Sequence, residues 1–153
     1  MRFIGNIEAK VDAKGRVFLP ANFRKVLQQE MCSELVLRKD VFQSCLVIYP
    51  RCIWDEQMDL VRQRLSRWNR KEQMIYRQFV SDVEEFALDA NGRFLLPKRY
   101  LKLANIGQSV KFIGMGDTIE LWSNDNPQES FVEPEEFGQA LEQLMTPPVP
   151  TTE

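Results

Sequence analysis

Two short stretches carry side chains whose types and spacing could do chemistry. Residues 12–20 read DAKGRVFLP and residues 89–97 read DANGRFLLP, 89 − 12 = 77 positions apart. In the first, Gly15 can supply the positive φ that a tight turn needs. Asp12 can accept backbone N–H bonds across that turn. A hairpin tip of this kind presents Lys14 and Arg16 side by side. Arginine makes bidentate contacts to guanine or phosphate, and lysine acts on phosphate as a point charge. The second stretch repeats the pattern with Asp89, Gly92 and Arg93, but Asn91 stands where Lys14 stood. The chemistry on offer is recognition of a polyanion. The plainer alternative is that Asp12 pairs with Arg16 and only holds the turn.

Other chemistries lack their parts. The chain has no histidine, which removes Ser-His-Asp and Cys-His catalysis and the commonest zinc ligand. Its three cysteines, Cys32, Cys45 and Cys52, are odd in number and scattered. They suggest reduced thiols in a cytoplasmic protein and no closed zinc site. Adjacent acids such as Glu84 and Glu85 fit a solvated surface. The expectation is a non-enzyme without metal, cofactor or small-molecule ligand. No apolar run approaches the roughly 20 residues that span a bilayer, and the N-terminus shows no secretion signal.

Charge is split along the chain. The formal net charge is −2, but no Lys or Arg follows Lys111 while nine acids do. Residues 1–111 therefore hold 20 bases against 22 − 9 = 13 acids, a net of +7. A basic body with an acidic tail is compatible with binding polyanions.

The elements that position the two motifs also repeat. FIGNIEAKVDAKGRVFLP reads as two strands around a turn, with Ile7, Ala9 and Val11 alternating against polar neighbours. Pro20 stops the second strand and opens a short helix, ANFRKVL. ELVLRKDVFQSCLVIYP reads as two more strands around a turn near Asp40. The second copy runs in the same order: EEFALDANGRFLLP, then KRYLKLA after Pro97, then SVKFIGMGDTIELW with a turn near Gly116. LVIY at 46–49 matches IELW at 119–122, an offset of 119 − 46 = 73, so the second copy is about four residues shorter. Each unit is too small to bury its own core, and two units packed about a pseudo-twofold axis can do so. Between them, Trp54, Met58, Val61, Leu65, Trp68, Ile75 and Phe79 follow helical spacing, interrupted at Glu72. This predicts one long helix, or two breaking near Asn69, with a basic face of Arg64, Arg67, Arg70 and Lys71. The segments are a first module over 1–52, a helical insert over 53–82, a second module over 83–126 and an acidic, partly disordered tail over 127–153. Within the tail, EEFGQALEQLM could form a short helix.

VDAKGRVFLP followed by NFRKVL and LVIYP, and then by a second LDANGRFLLP, resembles the MraZ family of bacterial transcriptional regulators. Each half resembles an AbrB-like or SpoVT-like swapped-hairpin module. The resemblance implies an α+β, mainly β fold in which two tandem modules pair into one pseudo-twofold β-barrel around the helical insert. It implies a ring-shaped homo-oligomer at the nucleoid. That ring would bind tandem repeats in double-stranded DNA upstream of the division and cell-wall operon, mainly as a repressor. It places Lys14 and Arg16, and by the second motif Arg93, at the DNA, with Asp12, Gly15, Asp89 and Gly92 forming the turns. A rival reading is an oligomeric protein-interaction module that binds no DNA. Retention on heparin that weakens with salt separates the two.

Overall fold

The computed structural model describes residues 1–125 and 131–149. The chain is α+β, as its pattern predicts. Strands β1 (Asn6–Lys10) and β2 (Arg16–Phe18) lead into helix α1 (Ala21–Gln29) and strands β3 (Leu35–Lys39) and β4 (Leu46–Pro50). Helices α2 (Arg51–Arg64) and α3 (Arg70–Ser81) form the insert. The second copy is β5 (Val83–Phe86), β6 (Arg93–Leu95), α4 (Lys98–Leu103), β7 (Ser109–Gly114) and β8 (Ile119–Ser123). Helix α5 (Pro134–Met145) follows.

One expectation from local pattern is corrected. β1 and β2 flank the Asp12–Arg16 turn but do not pair with each other. β1 pairs with β7 and β2 with β6, while β5 pairs with β3. Every strand of the two turn-bearing segments therefore finds its partner in the other copy. The strands form a six-stranded antiparallel sheet, β1-β7-β8-β4-β3-β5, and a two-stranded ribbon, β2-β6. Among the described residues, β1 and β5 stand at the ends of the sheet order, and no ladder joins them into a closed barrel. Exchanging the copies reverses the sheet order onto itself, which is the signature of a pseudo-twofold axis. The registers locate that axis. Val17 faces Phe94 in the ribbon, 94 − 17 = 77, and Val47 faces Glu120 in the sheet, 120 − 47 = 73. These are the same offsets that relate the copies in sequence.

The ribbon closes over one face of the sheet. Val17, Leu19, Phe94 and Leu96 meet Leu35, Leu37, Leu46, Ile48, Val110, Phe112, Ile119 and Leu121 in one core. Phe94 sits at its centre, with ring centroids 5.0 Å from Phe86 and 6.4 Å from Phe112. Two helices seal the ends. Each opens after a proline, Pro20 or Pro97, whose fixed φ suits a helix start. α1 buries Phe23 and Leu27, four apart on one face, and α4 buries Tyr100. The Tyr100 hydroxyl reaches the Leu37 carbonyl at 3.4 Å and accepts from Arg99 at 2.9 Å.

The insert packs on the other side of β3. Arg38 is its staple: 8% exposed, it donates to the Phe79 carbonyl at 3.2 Å. Its guanidinium lies 4.7 Å from the Phe79 ring and 5.7 Å from that of Trp54. The break falls at 65–69, the second of the two forms that the pattern allows. Asn69 caps α3 by accepting from the Glu72 amide at 3.0 Å, and Glu72 accepts in turn from the Ser66 amide. That explains why Glu72 interrupts the apolar stripe. Trp68, counted in the stripe, is 97% exposed because the break turns it outward. The tail holds helix α5, as EEFGQALEQLM suggested; of the partly disordered tail expected over 127–153, residues 127–130 and 150–153 lie outside the described residues. No described helix is long and apolar enough to cross a membrane.

Because Phe94 meets both copies at the pseudo-axis, Phe94→Ala should cost about 3–5 kcal/mol. Urea unfolding followed by circular dichroism measures this. A loss below 1 kcal/mol, about what a well-tolerated core change costs, would mean the ribbon does not hold the halves together.

Candidate nucleic-acid interface

The two turns are built alike, atom for atom. Asp12 Oδ1 accepts from the Lys14 and Arg16 amides at 2.9 and 2.8 Å, and its Oδ2 accepts from Arg16 Nε at 2.9 Å. Asp89 Oδ1 accepts from the Asn91 and Arg93 amides, both at 2.9 Å, and its Oδ2 from Arg93 Nε at 3.0 Å. Backbone bonds Gly15 N to Asp12 O and Gly92 N to Asp89 O, each 3.0 Å, tighten both loops. Gly15 and Gly92 both have φ +83°, a region where a side chain is strained. Asp12, Gly15, Asp89 and Gly92 all stand within these two turns.

Each turn is also clamped by the other copy. Leu96 N donates to Gly15 O at 2.8 Å, and Leu19 N donates to Gly92 O at 3.0 Å. The turns therefore cannot move independently of the ribbon.

The Asp–Arg pairing consumes only Nε of each guanidinium. The Nη1–Nη2 edge of Arg16 has no hydrogen-bond partner among the described residues, and an arginine offers that planar edge for bidentate contact. Arg16 and Arg93 come together on the outward face of the ribbon, since Val17 and Phe94 take the inward face. Phe18 and Leu95, 52% and 58% exposed, complete that face. The Arg93 guanidinium lies 5.8 Å from the Phe18 ring. Arg16, Arg93, Phe18, Lys10, Ala9 and Asp12 line a cleft of about 410 Å³. Lys14 projects from the first tip and is exposed.

A residue missed in the sequence is Arg24. It donates from Nη1 to the Leu19 carbonyl at 2.7 Å. It also lies over the second turn, where a Cβ on Gly92 would stand 2.7 Å from it. A positive charge from α1 therefore sits beside the loop that carries Asn91 in place of lysine. The available signal was the 77-residue offset, which aligns Arg24 with the uncharged Leu101. The basic face of the insert, with Arg64, Arg67, Arg70 and Lys71, is solvent-exposed.

The structure brings Cys45, Asp40 and Glu120 together, with potential ligand atoms within 4.8 Å. Burial pushes the Cys45 thiol up to about 12, and Glu120 and Asp40 add to the shift.

Comparison with known proteins places this architecture. The MraZ protein family model matches residues 3–78 and 79–143, one match for each copy. The chain belongs to the MraZ family. A relative from Phocaeicola vulgatus, named "Transcriptional regulator MraZ", is 61% identical over 145 residues, 95% of this chain and 94% of its own length. One of the same name from Bacteroides fragilis is 54% identical over 95% of this chain and 92% of its own length. A more distant one, from Nitrosococcus oceani, is 32% identical over 80% of this chain and 81% of its own. In this MraZ-family chain the repeated motif is thus the turn-and-ribbon unit of both halves.

The carboxylates make a pH prediction. The Arg16 amide bond lowers the Asp12 carboxyl below its ordinary value of 3.8, and the Arg93 amide lowers Asp89 in the same way. A folded-state value below the unfolded one gives stability that is present above the unfolded value and lost as pH falls through the folded one. Melting temperature should therefore fall as pH drops below the ordinary carboxylate range. Asp12→Asn/Asp89→Asn should be less stable near neutrality and show a flatter acid limb. An unchanged acid limb in the variant would show that the turns do not carry this linkage.

Proposed function

We propose that this chain is a DNA-binding transcription regulator, acting in the cytoplasm at the nucleoid. It binds double-stranded DNA through Arg16, Lys14 and Arg93. The observation that carries the reading is the convergence of Arg16 and Arg93 on one outward ribbon face, each oriented by its own aspartate and each with an Nη1–Nη2 edge that has no hydrogen-bond partner among the described residues. Its relatives from Phocaeicola vulgatus and Bacteroides fragilis are named as transcriptional regulators, which supports the same reading.

Arg16 and Arg93 take direct contacts, to guanine edges or phosphate, and Lys14 takes a phosphate. Asp12 and Asp89 act as positioning residues. Orientation before contact reduces the side-chain entropy lost on binding. Phe18 and Leu95 offer apolar surface beside the arginines, suited to thymine methyl groups.

One ribbon makes few contacts, so affinity must come from repetition. We propose that subunits assemble as a ring on tandem DNA repeats, where effective concentration multiplies weak single contacts. The regulated genes are those of division and cell-wall synthesis, and the effect is repression. Neither a cofactor nor a small-molecule ligand takes part.

Gel shifts on a repeat-containing promoter fragment test the reading. Arg16→Ala should remove specific binding with fold retained, since a lost base contact costs about 1–3 kcal/mol and recurs in every engaged subunit. Arg93→Ala should cost less, because Lys14 has no counterpart at Asn91; equal losses would sink that asymmetry and point to Arg24 as the compensating charge. Lys14→Ala should weaken binding evenly across sequences and reduce the salt slope by about one unit. Normal binding by Arg16→Ala would move the DNA surface elsewhere, to the basic face around Arg64, Arg67 and Lys71.

A further inference from the structure

Cys45 is fully buried, and its thiol has no hydrogen-bond partner among the described residues. Two carboxylates close on it. Its sulfur and one oxygen each of Asp40 and Glu120 all lie within 4.8 Å of one another. Neither carboxylate forms an ion pair among the described residues. Packing accounts for a buried thiol, but not for two unpaired acids converging on it, since like charges repel.

The backbone fixes this arrangement. Asp40 directly follows β3 and Cys45 directly precedes β4, and the Asp40 amide donates to the Cys45 carbonyl at 2.9 Å. Glu120 lies on β8, facing Val47. One oxygen of each carboxylate is already engaged. Asp40 Oδ2 accepts from the Phe42 and Gln43 amides at 3.0 and 2.9 Å, and Glu120 Oε1 accepts from the Trp122 indole at 3.0 Å. Outer hydrogen bonds of this kind orient ligating carboxylates. Cys45 packs with Ile113 and Trp122, apart from the main core. By strand alternation this is the sheet face turned away from the ribbon.

The second copy provides an internal comparison. There the Met115 amide donates to the Thr118 carbonyl, also at 2.9 Å, and Val47 stands in the place of Glu120. The same backbone turn therefore closes around Met115, Thr118 and Val47, with neither thiol nor carboxylate. The three candidate ligands are furnished in one half only.

We infer that Asp40, Cys45 and Glu120 form a binding site for a divalent ion of the zinc class. A thiolate favours zinc over magnesium or calcium, and the two carboxylates complete a mixed donor set. A tetrahedral zinc ion sets its ligand atoms about 3.5 Å apart, and small rotations of the two part-exposed carboxylates reach that spacing. Water takes the fourth position. The Cys45 proton leaves to solvent as the metal–sulfur bond forms. The three negative ligands then surround the dication beside Lys39, whose Nζ donates to the Asp40 and Gln43 carbonyls at 3.1 and 3.2 Å. The ion ties the β3–β4 turn of the first copy to β8 of the second, and it takes no part in the DNA contact.

Cobalt(II) and zinc titrated into the reduced full-length chain test the site. Cobalt should bind at one equivalent per chain with the sulfur-to-cobalt charge-transfer band of a thiolate ligand, and zinc should displace it. Zinc at a hundredfold excess over its Kd should raise the Tm by about 5–10 °C. Cys45→Ala should abolish the band. Asp40→Asn and Glu120→Gln, which keep the shape of partly exposed side chains, should each weaken zinc binding tenfold or more. Cys32→Ser/Cys52→Ser should leave band and affinity unchanged. A wild-type chain without the band overturns the site. So does a band that survives Cys45→Ala, or a zinc affinity that neither carboxylate variant moves.

Discussion

The structure depends on a constraint between short strands. β2 and β6 are three residues each, too few to hold a place alone. They pair with each other across the copies, and the Gly15 and Gly92 carbonyls extend that pairing by one bond at each end. This places Val17, Phe94, Leu19 and Leu96 over the sheet and seals the core. Neither copy holds a ribbon of its own. Folding must therefore bring together residues 77 positions apart before either turn has its final shape. The loop between them is long, but its closure entropy grows only slowly with length.

The same ribbon turns a folding solution into a chemical surface. Alternation sends Val17 and Phe94 inward and leaves Arg16, Phe18, Arg93 and Leu95 outward. Asp12 and Asp89 occupy both amide groups of the turn and the inner nitrogen of the arginine. One carboxylate thus sets the backbone and aims the side chain. The reading of Asp12–Arg16 as a structural pair and the reading of Arg16 as a contact residue are compatible, because the pair uses one edge of the guanidinium and leaves the other.

What was legible in the sequence was written locally. The Asp-x-x-Gly-Arg turns, the proline-started helices and the β3–β4 and β7–β8 pairs each need only a few neighbouring residues. The 77-residue repeat also exposed the pseudo-symmetry. Strand partnership was not legible, because Val17 and Phe94 carry no mark that distinguishes pairing within a copy from pairing across copies. Arg24 was read only as part of a short helix; its place over Gly92 depends on how α1 meets the other copy. Glu72 interrupts the apolar pattern because it belongs to the first turn of α3, where it serves the cap. Trp68 matched the helical period but fell in the break, where the period no longer applies.

The pairs on the pseudo-axis bear on how such a chain could have arisen and changed. In a dimer of identical modules, a residue on the axis faces its own copy, so each substitution there is made twice. Here Val17 meets Phe94, and Val47 meets Glu120. Two phenylalanines at the first position would overfill the core and two valines would leave a void. Two glutamates at the second would set like charges directly opposite each other. Joining the modules in one chain allows each axis position to be filled by unlike residues that complement one another. Each half has become fitted to its neighbour instead of to itself, and neither could return to a life as a symmetric pair without rebuilding its centre.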